Sequence, residues 1–328
     1  MKNSVYGVLF CFSLLVLGGC SEDTAKPAAN KEKTEAHKAD TETSKTEISA
    51  FSENSSEVAE LLKQFPENAG KSIVTTSVSI AEMLHILDIK PVGIPTSTHT
   101  LPEGFDSITK IGSTIEPDVE KIVSLKPELI IGPESIEDSL EKKVKNSKLA
   151  RAYIPTDSYE ELKLSLGVLG KALNKEQKAS DYLAQLDRKE SAVLAHVKGK
   201  NAPKVMLLFG SGESFMLMND TTYVGSLAKK LGASNIVSEA TNSKEAYVPM
   251  NMEDVITSNP DAILLVSHGD PTAALEQFKA EVKKNGAWEK LNAFKEDRVQ
   301  ALDYETFGYA SIEKATEGLE QLNDMLYK

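Results

Sequence analysis

The residues best suited to hold a ligand are histidines, and the sequence has five, at 37, 85, 99, 196 and 268. His268 stands out by position. It follows Ala262-Ile263-Leu264-Leu265-Val266, an apolar run opened by the Asn259-Pro260-Asp261 turn, which predicts a strand buried on both faces. The run stops at Ser267-His268-Gly269, so the imidazole falls at the carboxyl end of the strand, where open α/β sheets bind ligands. His99 occupies a comparable place: Pro91–Pro95 predicts a short strand and turn, and the polar loop Thr96-Ser97-Thr98-His99-Thr100 follows. His37 falls in a polar N-terminal region. His85 and His196 fall on predicted helices, where a structural or surface role is expected.

A bare metal ion wants three or four ligands. Two loop histidines are too few unless carboxylates such as Glu116 or Asp270 join them. Iron carried in a macrocycle that brings four nitrogens, as in haem, needs only one or two axial ligands and apolar or aromatic walls. Catalysis has little support. Gly210-Ser211-Gly212-Glu213-Ser214 lacks the central Ser with Gly two places to either side that a nucleophile elbow requires. No phosphate loop or dinucleotide fingerprint is present, and the carboxylates are plentiful but unclustered. The chain is therefore not expected to be an enzyme. No Lys/Arg cluster is interleaved with aromatics, so nucleic acid is not an expected partner. The net charge of −12 bears on solubility more than on function.

Residues 1–20 predict a signal peptide rather than part of the fold. Lys2 supplies a positive start and Val8 to Leu17 an apolar segment, too short to span a membrane, which takes about 20 residues. The segment ends in Leu17-Gly18-Gly19-Cys20, which resembles a bacterial lipobox, with Cys20 lipidated as the new N-terminus. The sequence has two cysteines. Cys11 leaves with the signal and Cys20 carries the lipid, so the mature fold has no thiol for a disulfide, a cysteine–zinc site, an iron–sulfur cluster or a nucleophile. Residues 21–69 are rich in Ser, Thr, Glu, Lys and Ala with little apolar periodicity, and predict a flexible tether. A short peripheral helix is predicted over Ser55–Phe65.

Strands alternating with helices over 71–157 and again over 203–328 predict an N-lobe and a C-lobe of α/β type with mainly parallel sheets. Between them, 158–198 carries Leu162, Leu166, Leu169, Leu173, Tyr182, Leu183 and Leu186 at helical spacing, broken near Leu173-Asn174. Its second piece, Lys175 to Val197, would be about 35 Å long and could join two lobes. An internal repeat supports the two-lobe reading. Val119–Ile131 can be laid on Met252–Leu264, each with a Glu followed seven residues later by Pro, an acid and an apolar strand. Ala246–Met252 and the aromatic segment Tyr304–Tyr309 are predicted as loops, and Ser311–Tyr327 as a closing helix.

Thr76-Ser77 before the first helix, Gly112 through Pro127, and Ser267-His268-Gly269 resemble the IsdE-like haem-receptor lipoproteins of Gram-positive iron-regulated surface determinant importers, over about Lys71 to Tyr327. The resemblance implies a helical-backbone receptor of the metal, siderophore and haem type, with haem b in the interlobe cleft. It implies a C-lobe histidine ligand, which falls on His268, and an N-lobe methionine ligand, which falls on Ile115. An aliphatic side chain cannot ligate iron. Three arrangements are then open: His268 alone, His268 with His99, or His268 with Met216, Met218 or Met250. Thr98, Ile115, Met218, Met250 and Tyr304 are the implied pocket residues. An acid on each lobe of related receptors docks on permease arginines, and Glu120 and Glu253 fall at such positions. The implied partners are an ABC permease and cell-surface haem-relay proteins. The implied setting is a monomer lipid-anchored on the outer face of the cytoplasmic membrane. A ferric siderophore is the alternative ligand.

Overall fold

The computed structural model describes residues 56–327 except 68, 71, 146, 212–213, 241–244, 269, 285 and 287. The signal peptide, Cys20, His37 and most of the tether lie outside the described residues. Among those described, no helix is long and apolar enough to cross a membrane.

A short helix, α1 (Ser56–Leu62), precedes the first lobe. The lobe then runs β1 (Ile73–Thr75), α2 (Val78–Ile86), β2 (Gly93–Ile94), β3 (Thr109–Lys110), α3 (Val119–Ser124), β4 (Leu129–Pro133), α4 (Glu137–Val144) and β5 (Ala150–Ile154). Its strands form one parallel sheet in the order β3-β2-β1-β4-β5. Parallel strands covered on both faces must be apolar throughout, and every residue of β1 and β4 is buried. Ser77 opens α2 by accepting the Ile80 N–H, so strand passes to helix within two residues.

Two helices follow, α5 (Tyr159–Ala172) and α6 (Glu176–Val197). Asn174, in the left-handed conformation at φ 57°, makes the break between them. Gly170 lets them close up there, since a Cβ on it would meet the Ala179 Cβ at 2.5 Å. With 22 residues, α6 is about 33 Å long.

The second lobe comprises β6 (Lys204–Ser211), β7 (Ser214–Met218), α7 (Tyr223–Lys230), β8 (Ser234–Asn235), α8 (Ile236–Ala240), β9 (Tyr247–Pro249), α9 (Met252–Ser258), β10 (Ala262–Val266), α10 (Pro271–Lys283), α11 (Asn292–Lys295), β11 (Val299–Ala301), α12 (Tyr304–Phe307) and α13 (Ala315–Leu326). Its sheet runs β11-β10-β6-β7-β9, with β8 beside β6. Here β7 pairs antiparallel with both β6 and β9, while β6, β8, β10 and β11 are parallel. α6 packs on both α2 and α13, one from each lobe.

The repeat is structural. α3 and α9 occupy matching places, and each ends in a left-handed residue before proline, Lys126 at φ 49° and Asn259 at φ 45°. β4 and β10 follow with every residue buried. Ile73 pairs with Leu129 in the first lobe as Val205 pairs with Ala262 in the second. The two lobes also share a core. One continuous apolar cluster runs from Ile73, Leu129 and Leu166 through Leu186 to Leu207, Leu264 and Leu319. A charged knot lies beside it: buried Lys163 reaches Glu190 at 3.1 Å and Glu160 at 3.3 Å, and Lys230 of α7 reaches the same two carboxylates.

Two segments predicted as loops are ordered. Ala246–Met252 contains β9, an edge strand whose three residues carry no periodic signal and are fixed by pairing with β7. Tyr304–Tyr309 contains α12, a helical turn capped by Asp303, which accepts the Thr306 N–H at 3.0 Å and its hydroxyl at 2.7 Å.

Candidate functional site

The carboxyl end of β10 and the loop after β2 face each other across α12. Ser267 is buried, and His268, the next residue, is exposed. Its ring meets Phe209 of β6 edge-on, with centroids 5.2 Å apart. Tyr304 also stands against it, 4.9 Å away, with its Oη hydrogen-bonded to His268 Nδ1. In the tautomer protonated on Nδ1, His268 donates to the Tyr304 oxygen and keeps the Nε2 lone pair free for a metal.

His99 comes from the first lobe. Ser97 Oγ accepts its backbone N–H at 2.9 Å, which fixes the loop locally. Its ring stacks on Tyr304 at 4.7 Å and leans on Tyr309 at 4.2 Å. Tyr304 therefore touches one imidazole from each lobe. Glu305 braces the loop by accepting the Thr100 N–H at 3.2 Å, and its Oε2 lies 3.9 Å from His99 Nδ1. Burial pushes the His99 pKa down, the Glu305 carboxylate opposes this, and His268 adds to it. The net effect keeps His99 neutral, the form that ligates metals.

A cavity of about 390 Å³ adjoins this cluster, lined by Ser135 and Asp157 of the first lobe and by Phe209, Met218, Tyr247 and Tyr309 of the second. Met218 lies on that wall. Met250 does not: with Met216 and Trp288 it lines a separate hollow of about 840 Å³. Ile115, 70% exposed, sits on the 112–117 loop and lines neither. The loop is pinched at its base by a bridge from Gly112 to Pro117; Gly112 has φ 92°, and a Cβ there would strike the Glu116 carbonyl at 2.7 Å. Thr98 is exposed beside His99. Glu120 and Glu253 are exposed in the first turns of α3 and α9, where a carboxylate suits the helix dipole. Among the described residues no group of three or more His, Cys, Asp or Glu is gathered to hold a metal ion.

Phe209, Tyr309 and Glu305 had no individual signal in the sequence. Phe209 reads there as the end of a core strand. Glu82 of α2 was equally silent. It is 2% exposed and accepts hydrogen bonds from the Tyr309 hydroxyl at 2.7 Å and from Ser311 Oγ at 2.9 Å. Burial pushes its pKa up from 4.5 to about 7; the two hydroxyls pull it down and Glu313 pushes it further up. Tyr182 and Tyr223 also face it. The unfolded chain releases this proton near pH 4.5, so between there and about pH 7 the native state binds more protons. Stability must fall as pH rises through that window, by about 3 kcal/mol. Melting curves from about pH 5 to pH 8 are expected to show this decline, and Glu82→Gln is expected to flatten it.

The family model described as periplasmic binding protein matches residues 73–306. The High-affinity heme uptake system protein IsdE of Staphylococcus aureus is 31% identical over 257 residues, 78% of this chain and 87% of that protein. The crystal structure of S. aureus IsdE complexed with heme aligns with a TM-score of 0.71 at 30% identity, covering 78% of this chain and 99% of that one. An ABC transporter substrate-binding protein from Listeria monocytogenes EGD-e aligns with a TM-score of 0.72 at 30% identity, over 79% and 99%. The Bacillus subtilis siderophore binding protein FeuA, at 21% identity and a TM-score of 0.65 over 80% of this chain and 94% of its own, shares the fold. The two α/β lobes, the connecting helices and these matches agree: the chain belongs to the periplasmic binding protein family, whose members are substrate-binding components of transporters and not enzymes.

Proposed function

We propose that this protein is a haem receptor, anchored through Cys20 at the outer face of the cytoplasmic membrane, that hands haem b to an ABC permease. The observation that carries this reading is the convergence of His99 and His268, one from each lobe, on the Tyr304 ring. Haem takes one or two axial donors, for which imidazole is well suited, and aromatic or apolar walls, and this cluster offers both. His268 binds iron through Nε2. His99 supplies the second axial bond: it shares the Tyr304 ring with His268, whereas Ile115 has no ligating atom, Met216 and Met250 line another hollow, and Met218 is almost fully buried in the cavity wall. Tyr304 and Met218 wall the site, with Thr98 on its rim. The relatives named for heme uptake support the same assignment. A cell-surface relay supplies the haem, Glu120 and Glu253 dock the monomeric receptor on its permease, and no bond is made or broken in the ligand.

A ferric siderophore is the competing substrate. Many such complexes are anionic, yet among the described residues the cavity wall carries Asp157 and neither lysine nor arginine. Titration with hemin is expected to give a low-spin Soret band that saturates at one equivalent, while ferric siderophores leave the melting temperature unchanged. A colourless protein that is stabilised by a ferric siderophore would replace this reading.

A further inference from the structure

A buried carboxyl is costly unless its oxygens are hydrogen-bonded or paired. Glu82 belongs to the first lobe, and both hydroxyls that it accepts from, Tyr309 and Ser311, belong to the second. One turn earlier on α2, Ser79 Oγ donates to the Ala310 carbonyl. α2 thus grips three consecutive residues, 309 to 311, of the opposite lobe. From the other side Tyr223 Oη donates to the Ser311 carbonyl at 2.8 Å. The segment so held carries the Tyr309 ring, and that ring lies 4.2 Å from His99.

We propose that Glu82 is a positioning residue of the cleft: by taking the Tyr309 hydroxyl across the lobe boundary, it holds one of the two rings that set the plane of the His99 imidazole. Tyr304, tied to His268, stacks on the same imidazole, so the two tyrosine rings orient His99 together. Its Nδ1 makes no hydrogen bond, the Glu305 carboxylate standing off at 3.9 Å, so ring stacking governs its orientation. An axial imidazole is normally oriented by a hydrogen bond from its second nitrogen; here aromatic contact serves, and Glu82 supports it one residue removed. The groups facing Glu82 are Tyr309, Ser311, Glu313, Tyr182 and Tyr223. The carboxyl can accept the Tyr309 hydroxyl whether or not it carries a proton, so the device works on both sides of neutrality.

The consequence for haem rests on His99 as the second axial ligand, so the test has two independent arms. In ligand-free protein, the ring protons of His99 are shielded by Tyr304 and Tyr309. Glu82→Leu and Tyr309→Phe are each expected to move the His99 Cε1–H resonance toward its unshielded value, and Glu82→Gln, which keeps an acceptor oxygen, is expected to leave it in place. With hemin bound, Glu82→Leu and Tyr309→Phe are expected to shift the spectrum from six-coordinate low-spin toward five-coordinate and to speed hemin loss roughly tenfold. The double variant should be no worse than either single one. Tyr309→Phe keeps the ring and removes one oxygen, so it guards against a variant that merely fails to fold. If both variants only lower the melting temperature, with the His99 resonance unmoved, the positioning role is overturned. If His99→Ala leaves the hemin spectrum unchanged, the ligand assignment fails instead, and the resonance arm still decides the role of Glu82.

Discussion

His268→Ala is expected to weaken hemin binding on the order of 100-fold and to shift the Soret band of whatever hemin remains bound. The size follows from geometry. His268 stands at the tip of a strand buried throughout, paired on both sides by β6 and β11, so its backbone cannot move to offer another ligand. The neighbours left behind, Phe209 and the Tyr304 phenol, are poor substitutes: one has no donor atom, and burial and Glu305 raise the pKa of the other, so it keeps its proton. Losing one iron–nitrogen bond therefore costs at least as much as the 10- to 100-fold typical of losing a residue that only orients a ligand. Added imidazole is expected to restore the native Soret position in His268→Ala by filling the space the ring vacated, a rescue that a folding defect would not show. His99→Ala is expected to give a five-coordinate spectrum with a smaller loss of affinity, since His268 and the cleft walls remain. An unshifted Soret band in His268→Ala would remove the foundation of the haem reading.

The sequence made His268 and His99 legible because each follows a strand, and strand ends are where α/β sheets place ligands. The repeat was legible too, because the turn from α3 into β4 and from α9 into β10 needs the same Pro-acid step in both lobes. What stayed hidden depends on tertiary contacts. β9 is three residues on a sheet edge, and nothing local distinguishes it from loop. Tyr304 and Tyr309 could be seen as aromatics, but not that one ring would sit between the histidines and the other behind His99. Glu82 lies within an apolar helical pattern, where an isolated acid reads as a surface residue. Only the approach of the second lobe supplies the hydroxyls that allow its burial. Met250 shows the converse. A methionine near the C-lobe sheet invites assignment to the cleft, but the run of β9 carries it to the hollow beside Trp288.

Reversing the charge of Glu120 and Glu253, the proposed docking acids, is expected to abolish haem-dependent uptake while leaving hemin binding untouched. The argument starts from the duplication. Each lobe presents, on a matching helix, an exposed glutamate in the first turn and an exposed aliphatic residue one turn on: Glu120 with Val123, 47% exposed, and Glu253 with Ile256, 41% exposed. Positions three apart share a helix face, so each lobe shows the same acid-plus-aliphatic patch. A surface repeated twice suits a partner that presents its own complement twice. Exposed ion pairs are individually weak, at about 0.2–1 kcal/mol, but replacing attraction by like-charge repulsion costs more. Glu120→Arg and Glu253→Arg are each expected to reduce affinity for permease-containing membranes about tenfold. The two sites lie on different lobes and share no partner, so their effects should add, and the double variant should lose on the order of 100-fold. Val123→Asp and Ile256→Asp test the apolar half of each patch in the same assay, with losses of similar size expected. The hemin Soret titration provides the control, because none of the four residues lies at the cleft. If the double reversal transports haem at the wild-type rate, these helices are not the docking face. If it fails to bind hemin, the two patches are coupled to the cleft and the surfaces are not independent.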